Sequence, residues 1–379
     1  MRNSIFVTFR DTINKFNLDN SILNDLPNAH LYGPSNSAKV SFKKKPLAVI
    51  DLNKWSKKLD LKCKTKTNCN ITKSKKLDNG ILLEDSEKNK YFGKIVVDCS
   101  GNSQVLSKKM GKETSSIYYE CYGFIMDDCN IADNKTGILN GDFNYTNAGG
   151  WLYPISKTKC QIGIGDFVPY KTGYKKSIKE RAEEMIKNCE PYKRWLKEGK
   201  IISTFYKKAP MIMPLHHMVQ DNLVLLGDAG GQSTPFLGEG IRPAFEMASD
   251  VAKVLKKSFD KDNFSRDSLK EIEREWLKKF GNSYLWSIII RHIWAYEFTN
   301  EDIDELVSNL ESLPNKDFYK FLRSDIHIDL LLEILDFKIV DDTIVNFFKN
   351  HISYFNSFNE KRKKTQLPST IKKIKKNNL

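Results

Sequence analysis

The clearest apolar pattern in this chain of 379 residues lies between residues 222 and 257. Leu223, Val224, Leu225 and Leu226 form a short apolar run ending at Gly227-Asp228, as in a strand buried on both faces of a parallel sheet. A loop of small residues follows (Ala229, Gly230, Gly231, Ser233, Thr234) and closes at Gly238-Glu239-Gly240. Beyond it Ile241, Ala244, Phe245, Ala248, Val251, Ala252 and Leu255 recur at helical spacing. Pro243 falls in the first turn of that helix, where a missing N–H costs nothing.

Elsewhere the pattern predicts a mixed architecture. Phe9, Ile13, Phe16, Leu18, Ile22 and Leu23 read as a helical piece entering a strand near His30. Runs 30–34 and 38–42, joined by Ser35-Asn36-Ser37, predict a hairpin. Ala48-Val49-Ile50-Asp51 predicts a strand leading to a helix with Trp55 and Leu59, and residues 62–94 an antiparallel excursion turning at Asp78-Asn79-Gly80. A second buried strand, residues 94–98, runs into the small-residue turn Cys99-Ser100-Gly101-Asn102-Ser103 and a helix reaching Met110. Between 116 and 167 helical spacing gives way to aromatic and β-branched residues, which predicts several antiparallel strands. Residues 170–199 read as an amphipathic helical stretch, and from Ser265 the chain is helical and rich in aromatics.

A strand, a glycine loop and a helix N-terminus in that order present free amides and the positive end of a helix dipole beyond the strand end. Phosphate or a flavin ring carbonyl suits such a place, with Asp228 accepting from a ribityl or ribose hydroxyl. The plainer reading is that Asp228 caps a turn and the glycines only make a loop.

Composition narrows the class. Apolar residues make up 40% and mean hydropathy is −0.48, and no run approaches the ~18 apolar residues of a membrane span. With no visible signal peptide, the chain is expected to be cytoplasmic. Seven scattered cysteines without CxxC spacing argue against a disulfide framework or a zinc site. His216 and His217 lack a third ligand at metal spacing. The net charge of +14 rests on lysine, with only 10 arginines among 61 basic residues. Nucleic acid is therefore not an expected partner. The tail from Glu360, with basic residues at 361–364, 372, 373, 375 and 376, is expected to be solvated. Contact with acidic lipid heads, peripheral to a membrane, is the sharper alternative.

The string GDAGGQSTPFLGEGIRPAFEMA resembles the second cofactor-binding segment of the FAD-dependent oxidoreductases related to aromatic hydroxylases, most closely the geranylgeranyl reductase family. Gly227, Asp228, Pro235, Gly238, Glu239, Gly240 and Ile241 match that pattern. The resemblance implies that Asp228 holds the sugar-alcohol chain of FAD while the amides near Gly240 and Ile241 face the isoalloxazine. Asp98 and Gly101 resemble the family's D-x-x-G-x-x-S, with Ser103 one place early. At Ala48–Leu59 the family's arginine is replaced by Leu52. Gly149-Gly150-Trp151-Leu152-Tyr153-Pro154 resembles the reductases' Y-x-W-x-F-P, whose aromatics line an apolar tunnel. Trp151 and Pro154 match, Tyr153 stands for Phe and Gly149 for Tyr, which implies substrate-binding roles for Trp151, Tyr153 and Pro154.

The family ordinarily opens with a GxGxxG turn for the adenosine half of FAD. This sequence contains none, and its first glycine is Gly33. A shortened copy, a misplaced gene start and loss of the adenosine half of the site all remain open. The expected fold is α/β, in four parts. These are an N-terminally incomplete Rossmann-like FAD-binding part (1–112, lending a hairpin to the substrate sheet), an inserted antiparallel substrate domain (113–205), the second FAD-binding segment (206–260) and a C-terminal helical region with the basic tail (261–379). The implied function is reduction of isoprenoid double bonds in lipid or prenyl substrates, with NAD(P)H or ferredoxin as external electron donor. A flavin-dependent monooxygenase or halogenase of the same fold, and a non-catalytic flavoprotein remnant, are the alternatives.

Overall fold

The apolar run at 223–225 is strand β16 (Leu223–Leu225), buried throughout. It pairs in parallel with β9 (Val96–Asp98), in register Leu223↔Val96 to Leu225↔Asp98, and antiparallel with β15 (Val219–Gln220). The two strands singled out as buried in the sequence are therefore neighbours. The helix Ile241–Asp260 lays Met247, Val251 and Val254 against Val224, Met218 and Trp276. Burying each such side chain stabilises by roughly 1.5–3 kcal/mol, which fixes the helix N-terminus over the strand ends. The structure is a computed structural model that describes residues 4–330 except 45, 61–63, 107–116, 169–172, 212–217, 297 and 328. All of these belong to one compact unit spanning residues 1–334. The basic tail, the His216–His217 pair and residues 107–110 of the helix expected up to Met110 lie outside the described residues.

A seven-stranded sheet carries the chain's aromatic segment. Its order is β14 (Lys200–Pro210), β10 (Tyr118–Asp127), β13 (Cys160–Val168), β12 (Gly150–Pro154), β11 (Thr136–Asn140), β3 (Asn28–Tyr32) and β4 (Ser37–Ser41). Only β11 and β3 run parallel; the other pairs are antiparallel. Because side chains alternate across a strand, Phe124, Ile138, Leu152 and Ile162 go to one face. There they pack under the helices Ile178–Asn188 and Tyr192–Trp195. The opposite face carries the register row Leu31, Leu139, Trp151, Gly163, Gly123, Phe205.

One expectation is corrected. Residues 9–23 are not a continuous helical piece. Ile5–Phe9 is strand β1 and Ile22–Leu26 is β2, flanking β5 (Leu47–Asp51) on its two edges, and only Arg10–Lys15 between them is α-helical. Pairing with the buried Leu47-Ala48-Val49-Ile50 run overrides local spacing here. Ile13 and Leu18 still face the core, against Ala48, Ile50 and Phe245 of the long helix.

The excursion is a three-stranded meander, β6 (Ile71–Leu77), β7 (Gly80–Asp85) and β8 (Lys90–Gly93), turning where Asp78-Asn79 predicts. The helices Asn282–Tyr296, Asn300–Ser312 and Asn315–Leu322 follow. Thr299 and Asp302 close a capping box at the start of the second. Its Asp304 accepts the amides of Ser35 and Asn36, at 2.9 Å each, and pins the β3–β4 turn. Among the described residues no helix is long and apolar enough to cross a membrane.

Candidate functional site

At the carboxyl ends of β9 and β16 two short turns, Gly101–Ser103 and Gly227–Gly230, pack side by side. Asp98 is absorbed by structure, its two oxygens accepting the amides of Ser100 (2.8 Å) and Leu106 (2.9 Å). Asp228 stays partly open, and its Oδ1 accepts from the Ser233 hydroxyl. From Gly231 the loop is braced by its own backbone. The Thr234 amide donates to Glu239 O (2.8 Å), the Gly238 amide to Thr234 O (3.0 Å), and the Glu239 amide to Thr234 Oγ1 (2.8 Å). Gly238 sits at φ +68°, a conformation glycine reaches without steric cost.

Gly240 is a glycine for a different reason. Its φ is −119°, but a Cβ there would stand 2.9 Å from Ser233 Oγ and 3.4 Å from Asp228 Oδ1. Its lack of a side chain brings the helix N-terminus up to the Asp228 carboxylate. No side chain caps that helix, and the Gly240 and Ile241 amides take no partner among the described residues. Two orphan donors at the positive end of a helix 20 residues long thus lie beside Asp228.

Glu239 is engaged elsewhere. Its Oε1 accepts the Arg242 amide at 2.7 Å, and its Oε2 lies 3.7 Å from Arg242 Nε. Arg242 itself, 3% exposed, donates to Arg323 O at 2.6 Å and lies 3.6 Å from Asp325. Burial pushes the Glu239 carboxyl above its ordinary range, and the Arg242 guanidinium opposes that shift. This pair ties the loop to the C-terminal helices. Lys207, on β14, is a charge the sequence reading missed. Burial lowers its ammonium pKa, Cys121 and Asp228 favour its charged form, and its Nζ lies 4.2 Å from the Phe6 ring centroid.

The loop also borders an apolar cleft with an empty volume of about 680 Å³, open solvent at its mouth included. Trp151 and Tyr153 line it together with Tyr119, Phe236, Leu237 and Trp294, and Ile303, Leu306, Val307 and Leu310 of the helix Asn300–Ser312 roof it. Glycines on the sheet make room for the rings. A Cβ at Gly163 would meet the Trp151 ring at 2.6 Å, and one at Gly238 would stand 3.6 Å from the Tyr119 ring. Trp151 also stacks at 6.5 Å on Phe205. Tyr119 therefore joins the cleft to the glycine loop, a role hidden in the sequence because its partner glycines come much later in the chain. Pro154 is buried and does not line the cleft, and its carbonyl accepts from Asn24 Nδ2 at 2.9 Å. Pro235 is buried in the loop, and Leu52 packs with Ile13 and Trp55.

No family model matches the chain. Among curated proteins it is similar to digeranylgeranylglycerophospholipid reductase 1 of Methanococcoides burtonii, 25% identical over 228 residues, covering 59% of this chain and 53% of the relative. The digeranylgeranylglycerophospholipid reductase of Methanocaldococcus jannaschii is 31% identical over 174 residues, covering 46% and 42%. The chain spans about half the length of the curated relatives it matches. Among solved structures, a geranylgeranyl bacteriochlorophyll reductase-like protein of Thermoplasma acidophilum superposes with TM-score 0.74 at 16% identity, over 92% of this chain and 88% of that one. Halogenase PltM, solved with phloroglucinol and FAD, superposes with TM-score 0.59 at 14% identity, over 83% and 68%. The fold is the α/β fold of the FAD-dependent oxidoreductases. The resemblance to geranylgeranyl reductases stands in both comparisons.

Proposed function

We propose, from this likeness to the geranylgeranyl reductases, that the chain is an FAD-dependent oxidoreductase that reduces isoprenoid double bonds of a lipid or prenyl substrate. The observation that carries the reading is a juxtaposition: a carboxylate and two helix amides without partners among the described residues at the ends of the 228–240 loop, and an apolar aromatic cleft lined by Phe236 and Leu237 of the same loop. Each half alone has ordinary explanations. Together they provide a polar grip for a flavin and a dry place for an alkene beside it.

The described residues fit the flavin end of FAD. Asp228 would accept from hydroxyls of the sugar-alcohol chain, and the Gly240 and Ile241 amides would donate to an isoalloxazine carbonyl. When bound in reduced form, the flavin would supply a hydride to one alkene carbon, while a proton from solvent adds to the other. The chain's own share is orientation and exclusion of water. Trp151, Tyr153, Phe236 and Leu237 would hold the isoprenoid against the loop, and the helix Asn300–Ser312 would close over it. Glu239 and Arg242 keep the loop in register and touch neither ligand. NAD(P)H or ferredoxin would deliver the electrons.

The test is anaerobic incubation of the FAD-loaded chain with dithionite and a geranylgeranyl glycerolipid, followed by mass spectrometry. Mass gains of one hydrogen pair per double bond support the reading. An unchanged lipid under full flavin occupancy overturns it, and turnover that needs oxygen favours a monooxygenase.

A further inference from the structure

The cleft contains hydrogen-bond donors with nothing to donate to. Tyr119 and Tyr153 both line it, and neither phenol oxygen has a hydrogen-bond partner among the described residues. The Nε1 of Trp294, a side chain only 8% exposed, is likewise unpartnered. Of the other polar lining side chains, Tyr32 Oη contacts His30 Nδ1 at 3.1 Å and Asn140 Oδ1 accepts the Asp142 amide at 2.9 Å, while the Trp151 indole N–H adds a further donor without a partner among the described residues. Among the described residues, no Asp, Glu, Lys, Arg or His lines the space.

Leaving polar groups unpaired in apolar surroundings is costly, so a site built this way gains by receiving their complement. Burial pushes both phenols above their ordinary range, so both remain protonated donors at any physiological pH. With no cation among the described lining residues, these donors favour a neutral acceptor. A phosphate or carboxylate brought inside would lose its hydration and meet no cation.

We propose that Tyr119 and Tyr153 form a polar subsite that recognises a neutral oxygen, as hydroxyl, ether or ester carbonyl, on an otherwise apolar ligand, while any anionic head group stays outside the cleft. The inference rests on the reading that this cleft is the substrate site, and it names the part of the substrate that enters. It also assigns a role to Tyr153, which stands where the reductase pattern has phenylalanine. In this chain the extra hydroxyl gives the tunnel a second donor.

Trp151 and Trp294 report on the cleft directly through fluorescence quenching, with no need of turnover. The probes are geranylgeraniol, its diphosphate and a saturated hydrocarbon of equal length, titrated into the parent chain and into the isosteric variants Tyr119→Phe and Tyr153→Phe. In the parent the alcohol is expected to bind more tightly than the hydrocarbon, and the diphosphate no more tightly than the alcohol. Each variant is expected to weaken alcohol binding by about three- to tenfold and to leave the hydrocarbon unchanged. Variants that bind the alcohol like the parent, or a diphosphate that binds far more tightly than the alcohol, overturn the inference. FAD titration of the same samples separates the claims. FAD binding with unaltered alcohol affinity in the variants defeats this inference alone, whereas alcohol discrimination without FAD binding defeats the proposed function alone.

Discussion

Replacing Asp228 tests the polar side of the site with a magnitude that can be worked in advance. In the parent its Oδ1 already accepts from Ser233, so an incoming hydroxyl adds a hydrogen bond to a carboxylate whose place is set. A hydrogen bond to a charged group contributes about 1.5–3 kcal/mol and a neutral one about 0.5–1.5 kcal/mol. Asp228→Ala removes the acceptor and is expected to weaken FAD binding by roughly 10- to 150-fold at ~1.4 kcal/mol per decade. Asp228→Asn keeps an acceptor of the same shape and is expected to cost only about 5- to 15-fold. Ser233→Ala removes the brace alone and should fall below both. Dissociation constants come from quenching of flavin fluorescence on titration, with thermal melts confirming that each variant is folded. An Asp228→Ala affinity within about twofold of the parent would mean that the carboxylate grips no ligand.

Other parts of the structure give separate tests. Arg242→Met leaves the Glu239 carboxylate buried with its nearest cation gone, and breaking a buried pair in this way costs about 3–5 kcal/mol; Glu239→Gln in the same chain should restore part of that loss in denaturant unfolding. The deficit of Arg242→Met relative to the parent should depend on pH. Burial already raises the Glu239 pKa, and removing Arg242 raises it further. A carboxyl with a raised folded-state pKa favours folding at low pH and loses that advantage as pH rises through it. The deficit should therefore be smallest in mildly acidic buffer and grow toward neutrality; a deficit independent of pH would count against the pairing. Gly238→Ala forces φ +68° on a residue with a Cβ and should lower stability by about 1–2 kcal/mol, measured as a shift of the unfolding midpoint. Cys121 is buried on the site face, and burial pushes its thiol up to about 11. Iodoacetamide in mildly alkaline buffer should therefore spare Cys121 while it labels the exposed Cys99, which peptide mass mapping can check.

What could be seen in the sequence followed the range of the signals. The strand at 223–225, the glycine loop and the helix Ile241–Asp260 are each set by neighbouring residues: an apolar run, small residues, a proline in the first turn. All three could be read directly. Strand β9 was legible as an apolar run ending in a small-residue turn, and its pairing with β16 comes from the structure. Strands β1 and β2 were not, since they exist through their pairing with β5, and Ile13 and Leu18 give the intervening segment helical spacing. Around the loop the sequence showed Asp228 and the helix start as neighbours in the chain but not the pairing of Glu239 with Arg242, three residues further on. Lys207 and Tyr119 escaped notice because strand alternation places a residue on a face without saying what lies opposite. Only the fold brings Phe6 to Lys207, and Gly165 and Gly238 to Tyr119. Pro154 shows the converse, a pattern match that the structure spends on holding β12 to Asn24.

The claim underneath the rest is that the 227–241 segment holds a flavin, and equilibrium titration of the purified chain with FAD addresses it most directly. One FAD is expected to bind saturably per chain, with binding weakened at least tenfold by Asp228→Ala. A chain that is folded by its thermal melt yet shows no saturable FAD binding, or one that binds FAD equally well without the Asp228 carboxylate, would contradict that claim.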